Sequence, residues 1–433
     1  MSRIFIALIS SLLSFSSLAQ SINIERWQTQ KGSQVLFVRA TDLPMVDLSI
    51  AFRAGSAFDE KNWGLATLTA SLINQGTLDL NATQIAEQFE DYGALFSSDV
   101  DKDTTRFSLR SLSQKSSLKH ALATLESILS KPSFSSQSVK REKEQLLTTI
   151  HYMNEKPGAV ASNAFYSSLY PNHPYGHSAL GTTQTISQIK RSHIESFFKT
   201  HYTANNAIIA ITGDLTLFEA KALSEKLSNV LTIQTATTDH TLPIISRSQQ
   251  AHTQAISFPS NQTNILIGQL GIDHSNPHYF PLIVGNYTLG GSGLISRLAN
   301  EVREKRGLTY GVYSSFQTFQ TPGPFSISLA TQTEKTKEAL SVTLDTLNEF
   351  LKNGPKQSEL KAAKQYLIGS FPLRLSSNKS INNTLLTMGL YQLPEDYIDT
   401  YLDKIKQVKL SHINTAFKQT INPNALITIT VGK

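Results

Sequence analysis

The chain repeats itself at a spacing of about half its length, which restricts it to folds built from two copies of one unit. Ser192-His193-Ile194 is followed by Phe198-Lys199, Asn206-Ala207 and an apolar run from Ile208 to Ile211 that ends at Gly213. Ser411-His412-Ile413 is followed by Phe417-Lys418, Asn424-Ala425 and a run from Leu426 to Ile429 that ends at Gly432. Upstream, Ala121-Leu122 matches Ala339-Leu340, and Gln137-Ser138 matches Gln357-Ser358. The offset stays between 218 and 220 residues throughout. Self-similarity at a fixed period marks a repeated structural unit. A chain of 433 residues is also too long for one ordinary core, so two domains are expected.

The two halves carry the same pattern of elements. Val46 to Phe52 and Asn264 to Leu270 alternate and are rich in strand formers. Each is followed by a helix-like stretch, Gly64 to Asn74 or Phe280 to Leu289, and then by a second strand, Thr104 to Leu112 or Phe325 to Ala330. Two long amphipathic helices come next, and each half closes on its apolar run. There is no strict alternation of strand and helix, which predicts an α+β fold with mostly antiparallel sheets. Residues 231–254 are rich in Thr, Ser and Gln, lack periodicity and read as a linker. The domains are then expected at 22–230 and 255–433, facing each other as parts of a clamshell.

The amino terminus reads as an export signal over residues 1–19. Arg3 supplies a positive start, Ile4 to Leu13 a short apolar core, and Ser17-Leu18-Ala19 a small-x-small cleavage site. The apolar run is too short to span a bilayer, and no other stretch is long enough. Export points to the periplasm. The chain has no cysteine, so a lipoprotein anchor, disulfides, thiolate metal sites and a Cys nucleophile are all excluded. The net charge of +6 is dispersed rather than gathered in blocks, which gives no support for nucleic acid as a partner.

Several segments together carry a family resemblance: Gly55-Ser56, the run Gly64 to Ser71, Gly76-Thr77, His173-Pro174-Tyr175-Gly176 with Gly181-Thr182, and Tyr202 to Asp214. In the second half come Leu289-Gly290-Gly291, Ser296-Arg297-Leu298 and Arg303 to Tyr310. The chain resembles the insulinase/pitrilysin zinc peptidases over essentially its whole mature length. The resemblance implies two homologous α+β domains, in agreement with the repeat. In that family a helix reading H-x-x-E-H supplies two zinc ligands and a general base, and a later helix supplies a third ligand, a Glu.

This chain departs from that pattern at every one of those positions. The matching residues are Thr67, Ala70, Ser71 and Thr148 (Thr149 if the alignment slips by one). Zinc prefers imidazole, thiolate and carboxylate, and Ala70 cannot take a proton. No zinc is therefore expected in this chain. His173 and His177 have i, i+4 spacing, but Pro174 and Gly176 argue against the helix such a site needs. The resemblance assigns a second pair, Arg303 and Tyr310, seven residues apart, to substrate binding from the second domain. Tyr can donate one hydrogen bond to a developing oxyanion, and Arg supplies a permanent cation. A solvated helix face explains Arg303 equally well on spacing alone, given Glu301, Glu304, Lys305 and Arg306 around it. Bacterial members of the family often pair a zinc-bearing subunit with one that lacks the motif. The resemblance thus implies a non-catalytic, substrate-binding subunit completing the zinc site of a homologous partner. A peptide-binding or chaperone module without a catalytic partner, and a structural subunit, stand as alternatives.

Overall fold

In the computed structural model, residues 22–233 and 241–433 are described. The expected export signal lies outside them. Among the described residues, eleven strands form two sheets: β1 Ile24–Gln28, β2 Gln34–Arg39, β3 Met45–Phe52, β4 Leu95–Val100, β5 Thr105–Leu112 and β6 Ala207–Gly213 in the first, and β7 His252–Ser257, β8 Gln262–Leu270, β9 Val312–Phe316, β10 Pro324–Gln332 and β11 Ile427–Gly432 in the second. The spatial orders are β1-β2-β6-β3-β5-β4 and β7-β11-β8-β10-β9. Without the extra edge strand β1, the second order repeats the first strand for strand. Even the pairing sense matches. The closing strand runs parallel to one neighbour, β2 or β7, and antiparallel to the other, β3 or β8. All other pairs are antiparallel.

The second sheet begins inside the stretch expected to be linker, because His252, Thr253 and Gln254 pair with Ile427, Thr428 and Ile429. Composition hid this strand. It is an edge strand whose side chains are nearly all exposed, so it needs no apolar alternation. The helix expected over Phe280 to Leu289 is also refined. An α-helix ends at Asn286 and continues as a π-helical turn from Tyr287 to Gly291.

The halves are locked together by exchanged helices. The helix Pro157–Leu169 of the first half packs on β8 and β11 of the second sheet. The helix Asn378–Leu390 of the second half packs on β6, β3 and β2 of the first. Phe165 and Leu169 thus join Leu270, Ile427, Ile429 and Val431 in one apolar cluster. Leu385, Leu386 and Met388 join Leu36, Val38, Ile208 and Ala210 in another. Buried Asn382 fixes the second helix by donating from Nδ2 to the carbonyls of Asp47, 3.1 Å, and Ala210, 2.9 Å. Each half therefore supplies part of the other's core. Burial of this kind contributes roughly 2 kcal/mol per large apolar side chain. The linker is then not what holds the halves together. Cleavage at a protease site engineered after Gln249 should leave two fragments that co-elute as one species on gel filtration. Separate elution in native buffer would show that the exchanged helices do not hold them.

Candidate functional site

The helix Leu65–Leu72 starts from an unusual cap. Gly64, at its N-cap, has φ 92° and offers no side chain. The buried carboxylate of Asp59 reaches in instead, accepting from Gly64 N and Ala66 N, both at 2.7 Å. These are two of the donors that a helix start leaves unpaired. Burial pushes the Asp59 carboxyl above the usual range, against the opposing pull of His177 and of the two N–H groups. His177 Nε2 lies 3.3 Å from Asp59 Oδ2, and Trp63 stacks on the His177 ring at 5.1 Å. His173 lies in the same wall. Its Nδ1 accepts from Tyr175 N, and its Nε2 sits 3.1 Å from Pro243 O. A 3₁₀ turn, Pro174–Gly176, separates the two histidines, so they share no helix face.

Thr67, Ala70 and Ser71 lie together on the helix Leu65–Leu72, at the spacing that lines one face. Thr67 Oγ1 donates to Ala179 O at 2.6 Å, and Ser71 Oγ donates to Leu68 O at 3.0 Å. Ala70 is buried in the first domain's core. Thr148 is on the helix Ser136–Asn154, which packs against the first, but its side chain is exposed. Its hydroxyl bonds back to Glu144 O at 2.9 Å, as that of Thr149 does to Gln145 O at 3.0 Å. These hydroxyls spend their protons on the backbone, and none is a good zinc donor. The residues present do not fit the metal that the H-x-x-E-H helix would hold. Among the described residues no three His, Asp or Glu side chains gather into a metal-holding group.

Arg303 and Tyr310 are brought together. Ala299–Glu304 is a π-helical turn, a form that recurs at functional sites. From it the Arg303 guanidinium reaches to 5.5 Å from the centre of the Tyr310 ring, within cation–π range. Arg303 Nη1 also meets Glu304 Oε1 at 3.0 Å. The other charges of this turn are occupied separately, with Glu301 taken by Lys305 and Arg306. Tyr310 is 90% exposed although its neighbours are anchored. Leu308 is buried, Thr331 Oγ1 donates to Leu308 O, and Thr309 Oγ1 donates to Ala330 O at 2.6 Å. The backbone is fixed and the ring is held out into solvent. Just beyond, Gly311 and Tyr313 line a groove of about 450 Å³ between the second sheet and the exchanged helix Pro157–Leu169.

One buried polar centre was not legible in the sequence. Asp101-Lys102-Asp103 reads as a hairpin turn between β4 and β5, yet Asp103 is 2% exposed. It accepts from Tyr175 Oη and, across the domain boundary, from Gln320 N at 2.8 Å. No sequence signal marks Asp103, because its partners lie far along the chain. Burial pushes its carboxyl up to about 6 from an ordinary 3.8. The native state therefore holds this proton more tightly than the unfolded chain does. That share of stability is complete below about pH 4 and gone above about pH 6. The stability of the wild type relative to Asp103→Asn should thus fall as pH rises from 4 to 6, then level off. Urea midpoints of the two proteins, measured across that range, check it; a gap that is flat or widens with pH would contradict the assignment.

Comparison with known proteins places this geometry. Residues 34–183 match the sequence model of the insulinase family, peptidase family M16, and residues 188–367 match that of the peptidase M16 inactive domain. The crystal structure of a peptidase M16 inactive domain from Pseudomonas fluorescens superposes with a TM-score of 0.91 at 37% identity, covering 95% of this chain and 98% of that one. The chain belongs to the M16 peptidase family. The two M16 matches divide the candidate residues between them, with Thr67, Ala70, Ser71 and Thr148 in the first and Arg303 and Tyr310 in the second. The non-peptidase homolog YmxG of Helicobacter pylori is 27% identical over 390 residues, covering 89% of this chain and 88% of that one. A protein of Bacillus subtilis named an uncharacterized zinc protease, also YmxG, is 24% identical over 92% of this chain and 95% of that one. This chain is an M16 homologue of the inactive, non-peptidase kind.

Proposed function

We propose that this chain is the non-catalytic, substrate-binding subunit of a heterodimeric periplasmic zinc metalloendopeptidase, and that it completes the active site of a zinc-bearing homologous subunit in trans. One observation carries the reading. The residues that would hold zinc are gone, whereas Arg303 and Tyr310 persist, touch each other and stand at the surface with the Tyr310 ring 90% exposed. An exposed phenol held on an anchored backbone is suited to meet a group that another molecule brings. In the assembled enzyme the Tyr310 hydroxyl would donate to the scissile carbonyl oxygen as charge gathers on it. The Arg303 guanidinium, whose charge is permanent, would stabilise the same oxygen or a neighbouring carbonyl. The partner's zinc would supply the Lewis acid. The signal-like amino terminus supports the periplasm as the compartment where the two meet.

The purified chain alone should carry no stoichiometric zinc and cleave no peptide. The zinc-bearing subunit alone should be slow, and the mixture fast. Elemental analysis and a peptide hydrolysis assay on the three samples test this. One tightly bound zinc per chain, or full activity of the partner by itself, would sink the proposal.

A further inference from the structure

A second cavity, of about 540 Å³, opens beside the start of the helix Leu65–Leu72, away from Arg303 and Tyr310. Its walls include Trp63, Tyr170, His173 and His177, and its rim carries Glu60 and Asn172. Trp63 is 41% exposed, with one ring face laid flat on His177, the planes only 6° apart. His177 is in turn held by Asp59, so the indole is fixed before any ligand arrives. No Lys or Arg lines the cavity, although the chain as a whole is at +6. Glu60 is exposed and makes no ion pair among the described residues. His173 does not supply a competing cation, because its Nδ1 accepts from a backbone N–H and burial holds its pKa down.

The backbone points the same way. Four non-glycine residues among those described have positive φ, and two of them, Glu60 at 51° and Asn172 at 58°, face this one cavity. Asn tolerates that conformation; Glu does so rarely, and strain of this kind gathers at ligand sites. A fixed aromatic ring beside an unpaired carboxylate is the chemistry that recognises an organic cation. We infer that this cavity binds an alkylammonium group, as carried by a lysine side chain or by the free amino terminus of a peptide. The inference needs neither a partner subunit nor the Arg303–Tyr310 pair.

The chain has two tryptophans, Trp27 and Trp63, so Trp27→Phe leaves Trp63 as the sole reporter. Its emission should change saturably on titration with Gly-Lys-Gly blocked at both ends, or with Gly-Gly-Gly amide bearing a free amino terminus. Comparing these two probes separates the side-chain source from the terminal one. The blocked peptide with acetylated lysine should give no saturable change. Glu60→Gln should weaken binding roughly tenfold or more, and added salt should weaken it further. Glu60→Gly removes the carboxylate and relieves the positive φ, so it should lose binding while raising the melting temperature. Calorimetry on the wild type gives the same reading without the Trp27 change. Equal responses to the acetylated and free peptides, or unchanged binding in both Glu60 variants, would overturn the inference.

Discussion

Tyr310→Phe, mixed with the zinc-bearing partner, should turn over peptide roughly 100- to 1000-fold more slowly than the wild-type mixture, the usual cost of losing one oxyanion donor. The substitution keeps the ring, and therefore the contact with the Arg303 guanidinium at 5.5 Å, and removes only the hydroxyl. That hydroxyl does no structural work visible in this chain. The ring is 90% exposed, and its place is set by Leu308 and Thr309 on the backbone beside it. The melting temperature of the variant alone should accordingly match the wild type, and the loss should fall on kcat more than on KM. Arg303→Lys keeps the charge but loses the planar, multi-donor fork, so it is not conservative where two oxygens are held. It should also slow turnover. Dimer formation must be followed separately, by gel filtration or sedimentation. Variants that assemble normally and retain wild-type turnover would reduce Arg303 and Tyr310 to a surface pair, and the trans-completion mechanism would fail.

What could be read in the sequence, and what could not, follows from what each signal depends on. The duplication was legible because repeated strands must repeat their apolar pattern. Ala207 to Gly213 and Ile427 to Gly432 close equivalent sheets and are buried almost throughout. The edge strands β4 and β7 were not, because a strand with one free edge and exposed faces needs no apolar alternation. The exchange of helices was hidden too. Nothing local in the sequence says that Pro157–Leu169 and Asn378–Leu390 each cover the other half's sheet. Asp103 shows the same limit at a single residue. Its two donors stand 72 and 217 positions away. Thr67, Ala70 and Ser71 could be aligned with one another because they share one helix, whereas Thr148, on another, was placed only by a count of residues along the chain.

Gly181→Ala should lower stability by about 3 kcal/mol or more, whereas Thr148→Ala should raise it by a few tenths. The contrast separates the two things a family motif can preserve. Gly181 has φ +73°, and a Cβ there would stand 2.1 Å from Trp63 O and 3.0 Å from Gly64 N. Gly64 itself has φ +92° and starts the helix that carries Thr67, Ala70 and Ser71. The loop at Gly181 is therefore pressed backbone to backbone against the helix start, and no side chain fits between. Alanine must either push these segments apart or leave the left-handed region, and either move also disturbs Trp63 and the Asp59 cap. Thr148 is the opposite case. Its side chain is exposed in mid-helix, its hydroxyl bonds back to Glu144 O, and alanine is the better helix former. Urea midpoints for both variants, with far-UV circular dichroism to confirm the fold, decide the matter. A wild-type midpoint for Gly181→Ala would mean that the close approach can relax at little cost. A clear loss of stability or of mixed-enzyme turnover in Thr148→Ala would mean that the Thr148 hydroxyl has a role beyond its own helix.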